Sequence, residues 1–150
     1  MDSRCVVAGV LMMATVGGYP ALAQSEPGQL AVEISAVNAT QGQVCLNLFN
    51  SSNGFPGDRE AAVETLCIAL AEDVPLVATF EDLTPGSYAV SVFHDANSDN
   101  EFNRNFVGMP TEGFGFSRNP RALTGPPEFG DAVVLVAGAE TRIEVELSYF

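Results

Sequence analysis

The chain has 150 residues, enough for one domain whose core closes without a metal or a disulfide. Nineteen acids stand against six basic residues, and the formal net charge is −13. Every basic residue is arginine, and a surface this acidic argues against phosphate backbones and anionic lipid as partners while favouring cations.

Residues 1–23 carry the pattern of an export signal. Arg4 precedes an apolar run from Cys5 to Val16, and Ala21-Leu22-Ala23 supplies a small-residue cleavage site before Gln24. Gly17, Gly18 and Pro20 break the run short of the ~20 apolar residues that a spanning helix needs. Cys5 lacks the context of a lipidated cysteine. Residues 24–29 then form a short Pro/Gly linker to a domain over residues 30–150.

Leu30, Val32 and Ile34 alternate with Ala31, Glu33 and Ser35, which predicts a half-buried strand. Turn residues from Asn38 to Gly42 lead into a second strand, Gln43 to Asn50, and SSNGFPGD (51–58) is a loop. Two readings fit the next stretch. Asp58 can N-cap a helix running as far as Ala71, or a single helical turn followed by a strand from Glu64 to Leu70. The alternation from Thr65 to Leu70 favours the second.

Removing the signal leaves Cys45 and Cys67. Each lies on the face opposite its strand's apolar residues, Val44, Leu46 and Leu48 for one and Leu66, Ile68 and Leu70 for the other. Two cysteines on matching faces of adjacent strands, in an oxidising compartment, predict a disulfide. The alternative is a pair of free thiols.

Leu76 to Phe80 is a fourth strand, and Leu83-Thr84-Pro85-Gly86 turns the chain. Tyr88, Val90 and Val92 alternate with Ala89, Ser91 and Phe93. Both sets are largely apolar, as in a central strand covered on both faces. A long segment follows from His94 to Asn119, with no strong strand pattern until about Phe129. Ala132 to Val136 and Thr141 to Leu147 complete the set. Seven short strands separated by turns predict an all-β sandwich of immunoglobulin-like or transthyretin-like type, with one long ordered loop.

That loop concentrates the candidate chemistry. Asp95-x-Asn97-x-Asp99 places oxygen side chains at alternate positions, and Glu101, Asn103 and Asn105 continue the series. Calcium takes six to eight oxygens at ~2.3–2.6 Å, so these residues are the candidate metal ligands and calcium the candidate cofactor. The run resembles dockerin-type and adhesin-type calcium loops, with two departures. Asn100 stands where glycine makes the sharp turn, and Phe106 stands where an EF-hand closes with a bidentate acid. The rival reading is an Asx-rich turn that satisfies its own backbone.

His94 is the single histidine. No catalytic motif surrounds the nearby Ser91, Ser98 and Ser117, and hydrogen bonding to loop backbone is the simpler role for His94. Further along, the glycines let the backbone pack closely while Phe102, Phe106, Phe114 and Phe116 bury themselves as a minor core. Alternatively Phe114, Phe116, Arg118 and Asn119 join His94 in lining a ligand groove. The segment is no phosphate loop, because neither Lys-Ser/Thr nor a helix follows its glycines.

The phrases GQVCLNLFNSSNGFPGD, FEDLTPGSYAVSVFHDAN and GMPTEGFGFSRN, followed by GPPEF, resemble an uncharacterised exported bacterial family called domain of unknown function 2141. The resemblance covers nearly all of residues 30–147. It implies an exported β-sandwich protein with no established activity. Separately, LTPGSY (83–88) is similar to the turn-and-strand signature of transthyretin-like modules such as carboxypeptidase regulatory domains, which speaks to fold alone.

The expectation is an exported, non-enzymatic binding or structural module of the cell envelope, periplasmic or extracellular. Its partner is an extracytoplasmic ligand or envelope protein; nucleic acid and membrane insertion of the mature chain are not expected. The alternative is a small hydrolase using His94 with loop acids.

Overall fold

The structure, a computed structural model, describes residues 26–71, 75–121 and 125–150. The expected signal segment, residues 1–23, lies outside them, as does the start of the linker. Among the described residues no helix is long and apolar enough to cross a membrane.

Among the described residues eight strands form two sheets: β1 (Gly28–Ser35), β2 (Gln43–Phe49), β3 (Glu64–Ala69), β4 (Leu76–Leu83), β5 (Gly86–Asp95), β6 (Phe114–Phe116), β7 (Val134–Val136) and β8 (Glu140–Glu146). One sheet runs β4-β1-β8 and the other β3-β2-β5-β6, with β7 also pairing β5. All pairings are antiparallel except β1 with β8.

The alternating residues of β1, β2 and β5 meet between the sheets. Leu30, Val32, Leu46, Leu48 and Val90 are fully shielded from solvent there, with Phe80 and Val145 packed against them. Burying such side chains supplies the main drive for folding, at roughly 25 cal/mol per Å² of apolar surface.

The fold class is therefore as the alternation predicts, with eight strands in place of seven. The extra one, β6, lies inside the segment expected to be strandless. Phe114-Gly115-Phe116 pairs with β5 opposite Ser91, Val92 and Phe93. Glycine is required at its centre, since a Cβ on Gly115 would come within 2.5 Å of the Glu146 carbonyl oxygen. The ambiguous stretch after residue 58 resolves as a 3-10 turn, Arg59–Ala61, followed by β3. Asp58 accepts from the Glu60 N–H and caps the turn. Helix α1 (Phe129–Ala132) precedes β7 where the sixth strand was expected to begin.

Strand β5 is buried on both faces. Tyr88, Val90 and Val92 face the core between the sheets. Ala89, on its other face, packs with Phe116 and Ala132, and Phe55, Phe114 and Phe129 close around them as a second, smaller core. The long segment thus folds over the outer face of the larger sheet.

Candidate functional site

Cys45 and Cys67 are directly opposite each other on β2 and β3 and form a disulfide, as their shared face predicts. The next row along the same face is polar. Thr65, Asn47 and Ser91 are register partners across β3, β2 and β5. They lie on the floor of a groove of about 1180 Å³.

One wall of this groove is aromatic. Phe93 contacts Phe102, Phe102 packs edge-on to Phe114, and Phe114 is tilted against Phe116 and stacked on Phe150, all with centroids 5.5–5.8 Å apart. Arg104, Met109 and Pro110 extend that wall, and the 3-10 turn with Val63 and Glu64 forms the opposite one.

Arg59 ties the two walls together. Its Nη1 donates to the Asn100 carbonyl at 3.1 Å and its Nη2 to Thr65 Oγ1 at 3.4 Å. Arg104 donates to the Gly108 carbonyl at 3.1 Å and lies 5.0 Å from the centre of the Phe102 ring. Both guanidinium groups are thereby committed to shaping the groove.

Asn47 is different. It is 5 % exposed, and its Oδ1 is the one buried side-chain polar atom without a hydrogen-bond partner among the described residues. Leaving such an acceptor unpaired costs about 1–3 kcal/mol, so it is a position that a bound donor would satisfy.

The loop acids occupy a separate place. Asp95 is fully buried, and its Oδ1 accepts from the Asp99 N–H at 3.1 Å while its Oδ2 accepts from Asn100 N at 2.8 Å and Gln43 Nε2 at 2.7 Å. Asp99 accepts from the Glu101 N–H at 2.8 Å and from the side-chain amides of Asn97 and Asn103. The Glu101 N–H chiefly holds the Asp99 carboxyl below its ordinary range; desolvation opposes it, and the Asn97 and Asn103 amides add to the lowering. Asn105 Oδ1 accepts from Val107 N and Met109 N.

Asn100 and Ser98 adopt left-handed backbone conformations, φ 64° and 59°. Asparagine tolerates that region, which is why glycine is dispensable at position 100. Within the series from Asp95 to Asn105, side-chain oxygens of Asp95, Asn97, Asp99 and Asn105 accept from the loop's own N–H groups, as in an Asx-rich turn. Among the described residues no group of three or more His, Cys, Asp and Glu side chains stands together to hold a metal.

Of the other candidate residues, Phe114 and Phe116 line the groove, and His94, Arg118 and Asn119 do not. His94 is 4 % exposed, its Nε2 donates to the Gln41 carbonyl at 2.8 Å, and its Nδ1 faces the Tyr149 hydroxyl at 3.4 Å. With both ring nitrogens engaged, His94 anchors backbone. Arg118 donates to the Gly130 carbonyl, and Asn119 bonds both the Glu144 carbonyl and the Glu146 N–H.

One expected burial fails. Phe106 is 100 % exposed, at the tip of a tight hairpin in which Asn105 N donates to the Met109 carbonyl and Gly108 N to the Asn105 carbonyl. A turn this short points its tip residues away from the sandwich, so Phe106 has nothing to pack on.

Asn47, Arg59, Thr65 and Arg104 were not among the sequence candidates. Asn47 carried a signal: it is polar, in a strongly apolar strand, on the face turned away from the core. Arg59 carried none, since its bond to Asn100 spans 41 residues.

A family model described as "Uncharacterized protein conserved in bacteria (DUF2141)" matches residues 32–144. No curated protein and no solved structure matches the chain.

Proposed function

The chain belongs to the DUF2141 family of uncharacterized bacterial proteins, and from that premise we propose that it is an exported, non-enzymatic module that binds a small ligand in the groove on the outer face of its larger sheet. The observation that carries this reading is the buried, unpartnered Oδ1 of Asn47 on the groove floor. A structural strand would place an apolar residue there, or would pair the amide.

Export is supported by the apolar segment with its Ala21-Leu22-Ala23 site and by the Cys45–Cys67 disulfide, which suits an oxidising compartment. The hydrolase alternative finds no support in the geometry, since His94 is enclosed and both its ring nitrogens are occupied.

Native mass spectrometry of the chain isolated from envelope extracts tests the reading. The expected result is a small-molecule adduct that is absent from a folded Asn47→Leu variant. A bare mass for the wild type, with no thermal shift from any compound in a metabolite panel, would overturn it. Amino-terminal sequencing of the same material is expected to begin at Gln24.

A further inference from the structure

We propose that the groove selects an organic amine, a protonated ammonium group carried on an apolar and preferably aromatic body. The inference rests on the binding role argued above and adds the charge and donor character of the ligand.

Two kinds of observation converge on it. The first is the balance of uncommitted polar groups around the groove. Asn47 Oδ1 is an acceptor without a donor. Arg59 and Arg104 already donate to the Asn100 and Gly108 carbonyls. Glu60, Glu64 and Glu101 also line the groove, and none of them forms an ion pair; the one salt bridge among the described residues is Arg142 with Glu140, on β8 of the other sheet. The guanidinium groups keep their charge, so the groove carries three carboxylates against two arginines and one buried acceptor without a donor, a balance that favours a cationic donor. A carboxylate or phosphate would instead meet a net excess of negative charge and an orphan acceptor.

The second kind is the surroundings. The Phe102 and Phe114 rings are half-buried and present apolar surface that suits the carbon body bearing the ammonium group. The net charge of −13 raises the local concentration of cations and so speeds their encounter with the site. A neutral polyol would satisfy Asn47 but make no use of the three unpaired carboxylates.

Isothermal titration of the mature chain at neutral pH and low salt, with phenethylamine and its isosteres phenethyl alcohol and hydrocinnamate, tests the proposal. Phenethylamine is expected to bind one molecule per chain, about tenfold or more tighter than the alcohol, since a hydrogen bond to a charged group exceeds a neutral one by about that margin. Hydrocinnamate is expected not to bind. Asn47→Leu should weaken the amine about tenfold. Glu64→Gln, a milder change that keeps the shape of the wall, should weaken it severalfold. Glu33→Gln, on exposed β1 surface of the other sheet, should change nothing.

The amine is overturned if the alcohol or the carboxylate binds as tightly, or if Glu33→Gln weakens binding as much as Glu64→Gln, which would mark a diffuse counter-ion effect. Alcohol binding that depends on Asn47 would leave the groove's binding role standing without the amine. Failure of all three probes would overturn the amine, and with the bare mass described above would remove the binding role as well.

Discussion

Gln43 and Asp95 are register partners on β2 and β5, and the Gln43 amide donates to the Asp95 carboxylate at 2.7 Å. The same carboxylate accepts the backbone N–H groups of Asp99 and Asn100. One buried side chain thus fixes both the end of a core strand and the start of the loop that covers the sheet.

Asp95→Ala leaves those donors without their acceptor, and a loss of about 3 kcal/mol is expected from the burial of unpaired groups. Urea denaturation measured in chelator should show the loss. Calcium should leave the wild-type midpoint where it is, because the carboxylate is already saturated with donors. A calcium-dependent rise of the midpoint would mean that the loop acids turn outward to form a site.

Asp99 makes the acid side of the stability curve informative. Its folded pKa lies below its ordinary value, chiefly through the Glu101 N–H. Its contribution is therefore present above the ordinary carboxylate range and is lost as the pH falls through the depressed folded value. Asp99→Asn should flatten that part of the acid-side slope, and carbon-detected titration should place the Asp99 midpoint below that of an unstructured aspartate.

Reduction of Cys45–Cys67 opens a closure of sequence separation 22, and the chain-entropy estimate for such a closure is about 3 kcal/mol. Cys45→Ser with Cys67→Ser should lower the urea midpoint accordingly. Two alkylatable thiols in native, unreduced protein would show that the bond does not form in the cell.

The phenylalanines of the loop should separate into two classes. Phe116, 9 % exposed and packed with Ala89 and Phe55, should cost about 3 kcal/mol on truncation to alanine. Phe106, wholly exposed, should cost less than about 0.5 kcal/mol. A large loss at Phe106 in the isolated monomer would contradict its place at the hairpin tip.

Several features of the chain were legible because they depend on neighbours close in sequence. Alternation in Leu30–Ser35 and Val44–Leu48 marks strands, since successive side chains of extended backbone point to opposite faces. The same rule puts Cys45 and Cys67 on one face, and Asp58 announces its cap through a local bond to the Glu60 N–H. Strand β6 escaped because three residues are too few for a period to show. Its pairing with β5 is set by what lies across from it.

By itself, then, the sequence determined a two-sheet β architecture, the disulfide pair and the long loop that follows the central strand. Only the tertiary structure decided which side chains are spent and which are free. Asp95 and Asn47 are both polar residues on buried strands, yet Asp95 is surrounded by donors and Asn47 Oδ1 has none. Hydrogen-bond satisfaction depends on every group that folds against a position, here on segments as distant as Gln43 from Asp95 and Arg59 from Asn100. That is a property of the closed surface, and no local pattern encodes it.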